Sequence, residues 1–187
     1  MGGGVMALEL NGTTGVSLVQ DGVVTAADMF SGFANGVTEA DAFRLSTDKT
    51  GGGLITANLE RVDDASFAKI GTGMTESSGV FSFPSTGLYR VEWHLRMYNS
   101  TTTTYGGGDI EVSTDGGSNW DIVVQPFGAI PSNANGYCGG ATLVNVTNTS
   151  NVQVRFEFIT GSSSTLLQGS SDKNSSHFLF TRLGDSQ

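Results

Sequence analysis

From Tyr89 onward the chain alternates without a break. Tyr89, Val91, Trp93, Leu95 and Met97 fall on one side, and Arg90, Glu92, His94, Arg96 and Tyr98 on the other. A period of two predicts a β-strand over residues 87–98, with one apolar face for a core and one polar face to be explained. Residues 151–160 repeat the pattern, setting Val152, Val154, Phe156 and Phe158 against Gln153, Arg155 and Glu157. Shorter runs predict strands at 42–48, 54–60, 66–70, 79–83, 108–114, 119–125, 140–147 and 176–183. Turn-forming tracts separate them: TGGG at 50–53, TTTTYGGG at 101–108, DGGS at 115–118 and NTSN at 148–151. The polar tract 160–176 reads as a loop holding one apolar pair, Leu166 and Leu167. About ten short strands at this spacing predict an all-β fold, an antiparallel jelly-roll sandwich.

Residues 1–41 follow a different rule. Val5, Leu8 and Leu10 form one small apolar cluster, and Val16, Leu18, Val19, Val23 and Val24 form another, broken by Asn-Gly and Asp-Gly turns. Such pieces bury too little to fold alone, so they predict an extended arm ahead of a body at 42–187. Residues 25–30, TAADMF, have the pattern of one helical turn capped by Thr25. No internal repeat is visible.

Composition agrees with short strands and tight turns. Of 187 residues, 27 are glycine, 3 are proline and only 14% are charged. The net charge of −9 supplies no basic footprint for nucleic acid. Cys138 is the single cysteine, which rules out a disulfide within the chain and a cysteine-built zinc site. The first residues, MGGGVMALELNG, carry neither a cationic nor an apolar targeting segment, so no signal peptide is expected. No apolar run is long enough to span a bilayer as a helix. Asn-x-Ser/Thr triplets at Asn11, Asn99, Asn145, Asn148 and Asn174 are what chance gives in a chain so rich in these residues.

Candidate chemistry is sparse, and no enzyme, cofactor or metal centre is expected. His94 and His177 lack ligand-spaced partners. Asp109, Glu111, Asp115 and Asp121 offer oxygens to a calcium ion but lack EF-hand spacing, so they read as solvated loop acids. Glu60, Asp63 and Asp64 read as a turn, and Cys138 as a small residue rather than a nucleophile. STDGGSNW, residues 113–120, is similar to the Asp-box turn of sialidase-like propellers. Its chemistry is conformational: Asp115 bonds its own turn, Gly116 and Gly117 permit positive φ, and Trp120 covers the hairpin.

Three segments of the body carry a family resemblance. Gly79, Phe81, Phe83, Pro84, Gly87, Leu88, Tyr89 and His94 follow a Gly-aromatic-Pro, then Gly-aliphatic-Tyr order; GYCGGATLVNV and SSHFLFTRLGD follow further on. In that order they resemble C1q/TNF-like jelly rolls over roughly residues 42–184. The resemblance implies a homotrimer whose three-fold axis is lined by Arg90, Glu92, His94, Tyr137 and His177; charges there need partners, and Arg90 and Glu92 are available to pair across subunits. Two departures stand out: no Gly-X-Y stalk, and Asn148-Thr149-Ser150-Asn151 where the family has a Gly-Asp turn. The arm, NGTTGVSLVQDGVVTAADM, resembles linker repeats of bacteriophage fibre and virion-surface proteins. Together these imply a non-enzymatic virion surface protein. The first expectation is a head decoration or cement protein docked through its arm onto a major capsid or other virion protein. The alternative is a tail-fibre tip that binds a host-surface glycan.

Overall fold

The computed structural model describes residues 36–187, and the expected arm from Val5 to Val24 and the helical turn at 25–30 lie outside the described residues. The described chain is all β, and its strands run β1 (Ala40–Leu45), β2 (Lys49–Thr50), β3 (Gly53–Leu54), β4 (Leu59–Arg61), β5 (Thr75–Ser77), β6 (Val80–Ser82) and β7 (Gly87–Asn99). Then come β8 (Thr104–Ser113), β9 (Asp121–Val124), β10 (Phe127–Ile130), β11 (Ala134–Val146), β12 (Gln153–Thr160), β13 (Leu166–Leu167) and β14 (His177–Gly184).

They form two antiparallel sheets. The first has the order β2-β13-β7-β14-β1-β4, with β11 along the other edge of β7; the second has the order β10-β8-β12-β6-β5, with β3 on β12 and β9 on β8. This is the expected jelly roll. Alternation dictates the core between the sheets. From the first sheet come Tyr89, Val91, Trp93, Leu95 and Met97 of β7 with Phe43, Phe178 and Phe180; from the second come Phe81, Ile110, Val154, Phe156 and Phe158. Phe81 joins the two layers, with ring centroids 5.1 Å from Phe43 and 5.6 Å from Phe156.

Several predicted strands need correction. The run 54–60 is two strands, because β3 pairs with β12 in the second sheet and β4 with β1 in the first. The chain changes sheets between them, through Asn58 at φ 59°. Residues 66–70 form no strand; only Ile70 bridges Ala40. The glycines of TTTTYGGG do not make a turn. Gly106, Gly107 and Gly108 lie within β8, where a Cβ on Gly107 would stand 2.1 Å from the Pro126 carbonyl and one on Gly108 2.1 Å from the Glu157 carbonyl. Glycine here permits close backbone approach, a demand set by neighbours far along the chain. β10 was not anticipated, β11 starts at Ala134 rather than 140, and β1 opens slightly ahead of residue 42. The apolar pair of the polar tract is β13, which pairs Leu166 with Tyr98 and Leu167 with Met97 of β7.

Candidate functional site

The register of the first sheet assembles the polar face. Gly139 of β11 pairs with His94 of β7, His94 with His177 of β14, His177 with Arg44 of β1, and Arg44 with Glu60 of β4. These residues form one row on the face turned away from the core. A second row sets Ala141 and Leu179 on either side of Glu92, and a third sets Leu143 and Thr181 beside Arg90.

Within this face the sequence-predicted residues touch one another. Arg90 donates to Glu92 at 2.8 Å, and His94 Nε2 lies 3.0 Å from the other Glu92 oxygen. His94 Nδ1 meets the Tyr137 hydroxyl. With the Nε2–H tautomer the chain reads Tyr137 O–H to His94, then His94 N–H to the Glu92 carboxylate. The His94 and His177 rings stack at 4.6 Å and 20°. His177 Nδ1 lies 3.1 Å from the Asn174 carbonyl. All five predicted interface residues are therefore brought together. Arg90 and Glu92 pair within one chain, because positions two apart on a strand share a face.

Electrostatics follow from this crowding. Burial, then the neighbouring His94, holds the His177 imidazole below its ordinary value of 6.5. Burial, followed by the charge of Glu92, pushes the Tyr137 phenol up. A histidine kept neutral contributes stability that is present above 6.5 and lost as pH falls through its lowered folded value. Thermal midpoints of the wild type should therefore fall on acidification below 6.5, and His177→Gln should reduce that fall.

The face is apolar as well as charged. Tyr137 and Leu143 are 63% and 58% exposed, and Ala141 between them is also exposed. Beside Tyr137 and His177 a cavity of about 430 Å³ is lined further by Arg96, Asn135, Lys173 and Asn174. Sequence reasoning put Arg96 on this face of β7 but could not set Lys173 beside it, since β7 and the 160–176 tract meet only in the fold.

Sequence also missed Arg44. It is 1% exposed, and its guanidinium bonds Glu60 at 2.7 Å, Asp63 at 2.5 Å and Asp64 at 3.1 Å. The acids read as a turn are a clamp. The available signal was an arginine inside the otherwise apolar run AFRL, with ERVDD a short distance on.

The remaining candidates are structural. Cys138 is buried against the core, donates to the Pro126 carbonyl, and lies on the opposite sheet face from His177. Ser113 and Asp115 close their turn as expected: the Asp115 carboxylate accepts from Asn119 Nδ2 at 2.6 Å and from Asn119 N at 2.9 Å. Trp120 Nε1 donates to the Gly117 carbonyl at 3.0 Å, with the Arg155 guanidinium 4.3 Å over its ring. The bonds from the Asn119 side chain and backbone, then that from Ser113, lower Asp115 to about 2. The stability this carboxylate adds is present above its ordinary value of 3.8 and lost as pH falls toward about 2. The melting difference between wild type and Asp115→Ala should stay constant above 3.8 and shrink through that window.

No family model and no curated protein sequence matches the chain. Solved structures match the fold. Murine APRIL is 12% identical, with 78% of this chain and 98% of that one covered at a TM-score of 0.55. Eiger TNF from S. frugiperda is 12% identical, with 81% and 96% covered at 0.59. PRD1 vertex protein P5 is 17% identical over 80% of this chain and 100% of that one, at a lower TM-score of 0.44. The body is thus a TNF-like jelly roll, as the C1q/TNF resemblance implied. Among the described residues no helix is long and apolar enough to cross a membrane.

Proposed function

We propose that the protein is a homotrimeric, non-enzymatic surface protein of a virus particle, docked through residues 1–41 and packed on itself through the β11–β7–β14 face. The observation that carries the trimer is the pairing of exposed Tyr137 and Leu143 with a polar chain already satisfied within one subunit. Exposed apolar side chains around neutralised charges make a face that can be desolvated without leaving an orphan ion. The virion setting rests on the arm's resemblance to phage linker segments. Light scattering of the purified protein at micromolar concentration should give three times the 19.5 kDa chain mass. Leu143→Arg should yield folded monomers. A wild-type monomer at that concentration would refute the interface.

Within this class the preferred role is head decoration. A cement protein binds the folded shell and raises its disruption temperature by linkage. Deleting residues 1–40 should leave a soluble trimer that no longer joins particles. The fibre-tip alternative draws on the polar tract 160–176, rich in hydroxyls and poor in charge, which suits contacts to a glycan. Heat-induced genome release and host adsorption, with and without the protein, separate the two. Unchanged release temperature with lost adsorption would establish the tip.

A further inference from the structure

The outward face of the second sheet holds a charge imbalance far from the histidine face. Asp109 and Glu111 alternate with Ile110 and Val112 of β8, so their side chains leave the core. In register, Asp109 pairs with Glu157 and Glu111 with Arg155 of β12. All four therefore share one face. The two β8 acids are not solvated: Asp109 is 1% and Glu111 5% exposed. Arg155 reaches Glu111 at 2.7 Å and neutralises one carboxylate, leaving two negative charges.

Asp109 adds a second observation. Its Oδ2 accepts from Gln125 at 3.2 Å, whereas its Oδ1 is buried with no hydrogen-bond partner. A buried carboxylate oxygen without a donor is expensive, and beside it stand two further acceptors. One oxygen from each of Asp109, Glu111 and Glu157 lies within 4.8 Å of the others. Oxygens on opposite sides of one calcium ion are about 4.6–5.2 Å apart, so all three can share a centre.

We propose that Asp109, Glu111 and Glu157 bind a hard divalent cation, calcium foremost, which ties β8 to β12. All three donors are carboxylate oxygens, the set such an ion prefers, and the residual charge of the site matches a divalent. Calcium is favoured over magnesium because donors fixed at strand positions suit its flexible geometry and longer bonds better than the near-ideal octahedron that magnesium demands. Sequence alone could not assemble the site, because Glu157 joins the β8 acids only through strand register.

Terbium is a suitable probe, because Arg155 touches both Glu111 and the Trp120 ring and so places an indole close to the ion. Wild-type protein should give terbium luminescence excited through tryptophan, displaced by calcium. Calcium at about 1 mM should raise the melting midpoint over EDTA by about 3 °C. Glu157→Gln, at a half-buried position, should fold, melt higher than wild type in EDTA, and lose both the emission and the calcium shift. Asp109→Asn should behave alike, and Trp120→Phe should lose the emission while keeping the shift. Absence of both signals in wild type would overturn the proposal, leaving a proton shared among the acids. A calcium shift undiminished in Glu157→Gln would overturn it as well, by placing the ion elsewhere.

Discussion

Phe81→Ala is expected to cost about 3–5 kcal/mol in urea denaturation, a large share of the stability of a domain this size. The ring is fully buried on β6 of the second sheet, and its centroid lies 5.1 Å from Phe43 and 5.0 Å from Phe180 of the first. It also meets Phe156 at 5.6 Å within its own sheet. Truncation removes the transfer energy of a whole ring and opens a cavity bordered by rigid aromatics, which relax poorly. Phe81→Leu keeps most of the volume and should cost about 1 kcal/mol. A loss below that for alanine would mean that the sheets close over the gap, and that the aromatic cluster does not set their spacing.

Arg44→Met should be nearly as damaging for a different reason. The methionine stem fills the space, but Glu60, Asp63 and Asp64 then face one another without the guanidinium they now share. Breaking a buried ion pair from one side costs about 3–5 kcal/mol. The lower end applies, because Asp63 is 79% exposed and regains water. The double variant Arg44→Met/Glu60→Gln should recover part of the loss, since it removes the acid at 2.7 Å from the missing charge. Equal stability of the single and double variants would show that the damage is packing rather than uncompensated charge.

These two sites differ in how far sequence exposes them. Phe81 lies in the motif that suggested the fold, and the alternation of β7 marked its buried face residue by residue. Amphipathic strands are legible because each residue's side follows from parity alone. Parity also grouped Arg90, Glu92 and His94, and the family resemblance added Tyr137 and His177. It could not find the Arg44 clamp or the Asp109–Glu157 pairing, since each depends on register between distant strands. The glycines of β8 misled for the same reason. Locally they read as a turn, while their role is set by the Pro126 and Glu157 carbonyls.

The pairing of β1 with β14 carries a consequence for how the chain is made. Ala40 to Arg44 bond to Thr181 to His177, so β1 waits for a strand synthesised long after it. Until then β1 has only β4 beside it, and β7 lacks its β14 partner. A nascent chain therefore presents unpaired strand edges throughout most of its synthesis, the condition under which neighbouring copies pair wrongly. Chains stalled before His177 should accumulate as aggregates rather than as shortened folded bodies, and protease resistance should begin only once β14 has emerged.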